Sequence, residues 1–230
     1  MASKRIVCDL DGCLVDWNTP FAKLLAKAHG EDLLPEGWEQ LGHNAFPCWN
    51  WDRHYGYSEV SCELARHWMQ EDHVFCYRLP ALPEAQVVLD KLNGLVNADE
   101  IDLYFITQRM GARAKQSTEM WLWDRGLVSP TVIVTGNKVP VLKGLGADFF
   151  IDDRLETVIQ VHKAGLPGVY LLDRPWNRVG RHDAGCPAIA DDESDQVLYD
   201  YGDCVCSLRD LQVVETMQEA LELEGLWISQ

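Results

Sequence analysis

The chain has 230 residues, 47% apolar and 24% charged, with a net charge of −16. That composition is that of a soluble globular protein with one good core and room for a smaller lobe. The negative charge argues against an extended nucleic-acid surface, and no apolar run reaches the roughly 18 residues of a membrane helix.

Residues 4–8 read as a short, buried parallel strand. It delivers Asp9 and Asp11, two residues apart, and then Gly12. Side chains two apart on a strand share a face, so the two carboxylates converge if extended geometry persists past Cys8. Paired carboxylates suit a hard cation, a nucleophile, or an acid and base. The EF-hand alternative fails, because counting from Asp9 its required positions hold Cys13, Leu14 and Pro20. Asp9 interrupts the apolar stretch after Lys4 and Arg5, so no signal peptide is expected and the location is read as cytoplasmic.

Residues 20–29 predict a helix with Pro20 in its first turn, stopped by Gly30. Residues 31–57 lose all periodicity and fill with Trp38, Phe46, Trp49, Trp51, Tyr55 and Tyr57. A helix over 58–70 follows, with Ser58 as N-cap. Residues 18–78 thus form an expected helical lobe, whose aromatics are mostly its own core. From Pro83 an α/β rhythm sets in: a helix ended by Asn93-Gly94, a strand over 101–107, a helix over about 111–125, and a strand over 131–135. Then come a short helix through Leu142, a strand over 147–153, a helix stopped by Gly165, and a strand over 168–173. VVETMQEALELEG reads as a final amphipathic helix. Residues 182–207 are acidic and read as a surface loop.

Such alternation predicts a parallel sheet covered on both faces, with every strand's carboxyl end on one edge. Asp9, Asp11, Thr107, Lys138, Asp152 and Asp153 all follow strand ends and should meet there. Clustered carboxylates repel unless a cation joins them, and carboxylates with waters suit Mg²⁺. A hydroxyl with backbone amides at Thr107 and an ammonium at Lys138 suit phosphate oxygens. Lys143 is a rival for the ammonium. Asp16 is expected to cap, and Arg109 to be an exposed loop arginine with substrate phosphate as its alternative partner. The eight cysteines are scattered without a CxxC pair. His182, Cys186, Cys204 and Cys206 fit no zinc spacing, so reduced, mostly buried thiols are expected.

With DLDG at 9–12, Thr107 closing FIT, Lys138 and IDD at 151–153, the chain resembles haloacid dehalogenase superfamily phosphatases. Within them it resembles the 5'(3')-deoxyribonucleotidases and their phage-type relatives, through the helical insert, IDDR and LLDRPWNR. The resemblance implies a Rossmann-like, doubly wound parallel sheet from residues 1–17 and 79–230, with residues 18–78 as a small helical cap inserted after the first strand. It implies a Mg²⁺-dependent phosphomonoesterase for nucleoside monophosphates, working through an aspartyl-phosphate. Asp9 is then the nucleophile and Asp11 the general acid and base. Thr107, Gln108 and Lys138 hold the phosphoryl group, and Trp17 stacks on the base. Asp9, the Asp11 carbonyl, Asp152 and Asp153 hold the metal. A sugar phosphate, a nucleic-acid 3'-phosphate end, or a non-catalytic nucleotide-binding role are the alternatives, and a homodimer is left open.

Overall fold

The computed structural model describes residues 3–178 and 212–227. The acidic loop at 182–207, with His182, Cys186, Cys204 and Cys206, lies outside the described residues.

The first strand, β1 (Lys4–Cys8), leads into α1 (Asn18–His29). Asp16 accepts a hydrogen bond from Thr19 N at 3.1 Å and so caps the entry to α1, as expected. The aromatic stretch breaks into short turns: α2 (Trp38–Leu41), a 3-10 turn (Gly42–Ala45) and α3 (Trp51–His54). Then come α4 (Glu59–Glu71), whose Ser58 cap accepts from Ser61 N, and α5 (Phe75–Arg78). Their apolar residues gather around Phe21, Phe46, Trp51 and Met69 in one cluster.

The remainder alternates. α6 (Ala85–Asn97) precedes β2 (Ile101–Thr107), and α7 (Ala114–Trp123) precedes β3 (Thr131–Val134). α8 (Lys138–Leu145) precedes β4 (Phe149–Asp152), and α9 (Leu155–Lys163) precedes β5 (Gly168–Leu172). β6 (Gln212–Val214) and α10 (Met217–Leu223) follow.

The sheet is all parallel, in the order β3-β2-β1-β4-β5-β6. Strand alternation divides the core in two. Ile6, Cys8, Phe149, Ile151, Tyr170 and Leu172 face α6, α7 and α10, while Val7, Phe150, Val169 and Leu171 face α8 and α9. Strands buried on both faces need apolar residues at both parities, which is why β1, β4 and β5 read as continuous apolar runs.

Two expectations need correction. Asn93-Gly94 does not end α6, which runs on to Asn97. The apolar stripe Val88, Leu89, Leu92 continues to buried Leu95, and that burial outweighs the roughly 1 kcal/mol helix cost of a glycine. The C-terminal stretch is not all helix. Val213-Val214 pairs with Leu171-Leu172 as an edge strand, and the helix begins only after Thr216. Thr216 accepts from Glu219 N at 3.1 Å and Glu219 accepts from Glu215 N at 2.9 Å. That S/T-x-x-E capping pattern marks the helix start in the sequence.

Candidate active site

A doubly wound sheet takes its ligand where the strand order reverses, outside the carboxyl ends. Here the reversal lies at β1, between β2 and β4. Cys8 is the last paired residue of β1, level with Phe105 and Ile151, so Asp9 emerges beside the end of β4. Asp9 N donates to Ile151 O at 3.0 Å and fixes that exit. Gly12 then turns the chain at φ +81°. A Cβ there would lie 2.1 Å from Asp153 Oδ2, so only glycine lets the two motifs approach.

Asp9, Asp152 and Asp153 are all buried. Lys138, the first residue of α8, places its Nζ 2.5 Å from Asp9 Oδ1 and 2.7 Å from Asp152 Oδ2. The rival Lys143 is exposed. Asp152 also accepts from Arg154 N at 2.8 Å, tying it to the start of α9. Asp153 Oδ2 accepts from Trp176 Nε1 at 2.7 Å.

Burial pushes the Asp9 carboxyl well up, with Asp152, Asp153 and Asp11 adding to it and Lys138 pulling the other way. Asp153 is pushed up to about 7, first by burial and then by Asp152. Burial works against the Lys138 ammonium, but Asp152 and Asp9 more than offset it and hold the group charged. Among the described residues, ligand atoms of Asp9, Cys13 and Asp153 lie within 4.8 Å of one another. Burial and these carboxylates push the Cys13 thiol far up, so it stays protonated beside them. The donors that remain are carboxylate oxygens, which suit a hard divalent cation.

Asp11 is held from the other side of β1. Arg109 and Thr107 both donate to its carboxylate, Thr107 Oγ1 at 3.3 Å. Arg109 is 7% exposed, which corrects the expectation of an exposed loop arginine: its fixed donor fork finds a carboxylate and a buried hydroxyl, Thr118. Gln108 is exposed at the rim, where Arg154 Nη1 donates to its Oε1 at 3.4 Å.

A cavity of about 340 Å³ opens over these groups. Its floor holds Asp9, Asp11, Thr107, Lys138 and the Asp152-Asp153 pair; its roof includes Trp17, Phe21, Trp49, Trp51 and Arg66. Asp9, Asp11, Trp17, Thr107, Gln108, Lys138, Asp152 and Asp153 all line it, and the rival Lys143 does not. Trp17 stacks on Phe21, ring centroids 4.4 Å apart. From the sequence Arg174, Trp176 and Asn177 carry no site role, and Arg109 is placed between solvent and a substrate phosphate rather than on Asp11. All follow a strand end, Trp176 and Asn177 within a helical turn over 175–178, and only the three-dimensional partner distinguishes them from solvated residues.

No protein-family model matches the sequence, and no curated protein matches it. Solved structures do. A phosphonoacetaldehyde hydrolase-like protein from Oleispira antarctica superposes with TM-score 0.51 at 16% identity, over 97% of this chain and 91% of that one. The candidate haloacid dehalogenase-type hydrolase YfnB from Bacillus subtilis, solved with magnesium bound, gives 0.50 at 13% identity, over 98% and 100%. A candidate phosphoglycolate phosphatase from Lactobacillus plantarum gives 0.50 at 13% identity, over 99% and 100%. At such identities the likeness is one of fold. The chain has the α/β, Rossmann-like fold of the haloacid dehalogenase hydrolases.

Proposed function

We propose that the chain is a phosphomonoesterase of the haloacid dehalogenase type, dependent on Mg²⁺ and acting on nucleoside monophosphates. The observation that carries the reading is Asp9, a buried carboxylate at the sheet's switch point, with the Lys138 ammonium bridging it to Asp152.

Asp9 attacks phosphorus and the ester oxygen leaves, which makes an aspartyl-phosphate. Asp11 gives that oxygen its proton, then takes one from the water that hydrolyses the intermediate. Lys138 keeps a third N–H for a phosphoryl oxygen after serving two carboxylates. Thr107 orients Asp11 through its hydroxyl, and the backbone at Thr107 and Gln108 completes the phosphate contacts. Hydrolysis of a phosphate monoester can require up to about 10²¹-fold acceleration, roughly 28 kcal/mol. Acid-base catalysis supplies about 10²- to 10⁴-fold of it. The fixed charges and the covalent step must share the rest.

The residues fit a divalent cation. Buried Asp9 and Asp152 share the Lys138 ammonium, while buried Asp153 accepts from Trp176 Nε1 and is pushed towards neutrality by burial and by Asp152. Asp9, the Asp11 carbonyl and Asp153 would hold Mg²⁺, with Asp152 orienting Lys138. The ion would neutralise charge on the phosphoryl oxygens. Helical residues 18–78 would serve as a cap that selects the substrate, with the Trp17–Phe21 stack offering a flat base an aromatic face.

The fold shared with the candidate phosphoglycolate phosphatase favours a second reading, a small non-nucleotide phosphate ester. A phosphate-release screen over ribo- and deoxyribonucleoside monophosphates and sugar phosphates, with and without Mg²⁺, separates the two. Release should vanish in Asp9→Asn. Equal inertness of wild type and variant on every ester would sink the proposal.

A further inference from the structure

We infer that the segment following β5, with its helical turn over 175–178, is a clamp on the candidate metal site, and that Trp176 is a positioning residue for Asp153. This rests on the reading of Asp153 as a cation ligand. The clamp has three teeth. Arg174 Nε donates to Gly12 O at 2.7 Å, and its Nη2 reaches Glu84 Oε1 at 2.9 Å. Trp176 Nε1 donates to Asp153 Oδ2 at 2.7 Å. Asn177 Nδ2 donates to Asp153 O at 2.8 Å and to Leu172 O at 2.7 Å. All three side chains are buried. A single turn of chain thus holds the loop after β1 and the loop after β4 at one fixed separation.

Trp176 does more than fill space. Its N–H fixes the plane of the Asp153 carboxylate and with it the direction of the second oxygen. A Cβ on Gly12 would come within 3.0 Å of Trp176 Cζ2 as well as 2.1 Å of Asp153 Oδ2, so Gly12, Asp153 and Trp176 interlock. The indole also belongs to the apolar cluster of the helical segment, and His43 packs edge-on against it at 5.4 Å between centroids. One side chain therefore joins the seating of residues 18–78 to the orientation of an acidic ligand. Groups that orient a ligand carboxylate commonly govern cation affinity about as strongly as a weak ligand does.

The test is a calorimetric titration of metal-free protein with Mg²⁺, beside its metal-free melting curve. Trp176→Phe keeps most of the ring and deletes the N–H. Its Mg²⁺ affinity should fall about tenfold, and Trp176→His, which keeps a ring N–H, should recover part of that. A folded Trp176→Phe that binds Mg²⁺ as wild type does overturns the inference and leaves the proposed function standing. A wild type that binds no Mg²⁺ overturns the reading of the site itself. Should Trp176→Phe not fold, Asn177→Ala carries the same readout through the Asp153 carbonyl, with weaker Mg²⁺ binding expected and unchanged binding overturning the inference.

Discussion

Arg109 closes a fork on Asp11: its Nε lies 3.0 Å from Oδ2 and its Nη2 2.6 Å from Oδ1. Thr118 Oγ1 accepts from Nη1 at 2.8 Å and donates to Ala114 O at 2.7 Å, so the guanidinium is anchored to α7. The carboxylate assigned to proton transfer is therefore aimed by a rigid group.

Lysine cannot reproduce that fork. In Arg109→Lys the rate on esters with poor leaving groups, which need a proton, should fall about 10²-fold. Esters with good leaving groups, such as p-nitrophenyl phosphate, should lose much less. The comparison of kcat across leaving groups checks this, and equal losses would assign Arg109 to the fold alone.

Lys138 is 10% exposed and stands between two carboxylates that are more buried still. Lys138→Met leaves Asp9 and Asp152 facing each other without a counter-charge. Breaking a buried pair in this way costs about 3–5 kcal/mol. Urea unfolding of the metal-free variant should show a loss of that order, and phosphate release should disappear. Mg²⁺ should return part of the stability but not the activity, because the phosphoryl contact is gone.

The Asp153 carboxyl, pushed up to about 7 by burial and by Asp152, makes metal-free stability depend on pH. In the unfolded chain the same group titrates near 4. Its proton is bound more tightly by the folded state, so its contribution is complete below about pH 4 and fades as pH rises through about 7. Wild-type stability relative to Asp153→Asn should therefore fall across that window in the absence of metal. Unfolding free energies of both proteins at pH 4.5, 6 and 7.5 measure it. A difference that stays flat would contradict the burial of a raised carboxyl there.

The parallel sheet and the meeting of Asp9, Asp11, Thr107, Lys138, Asp152 and Asp153 at its carboxyl edge were legible from the sequence; the strand order β3-β2-β1-β4-β5-β6 was not. Each of these residues follows or closes a short run rich in apolar, β-branched and aromatic residues, although β2 and β3 are not buried on both faces, and parallel connectivity does the rest. Lys138 could be preferred over Lys143 because it falls one short turn after β3. Arg109, Arg174, Trp176 and Asn177 were not legible. Their roles depend on partners as much as 162 residues away in sequence, as between Arg174 and Gly12. A lone polar residue just past a strand end carries no sign of such a partner. The edge strand β6 was hidden for another reason: three residues of a short strand beside a strong capping pattern look like the first turn of the helix.

Trp17 distinguishes a nucleotide from a smaller ester. It lines the cavity while resting on Phe21 at 4.4 Å and 23° between planes, so its indole is already ordered and a base stacking on it would pay little further entropy. Base stacking on an aromatic residue is worth about 1–3 kcal/mol, which is roughly 5- to 150-fold in an equilibrium constant. In Trp17→Ala, KM for a nucleoside monophosphate should rise within that range while kcat holds. KM for a small aliphatic phosphate ester should not move. If Trp17 only packs the helical segment, both substrates suffer alike and the melting temperature drops with them. Steady-state kinetics on the two substrates, read beside a melting curve, decide between a stacking platform and a core residue.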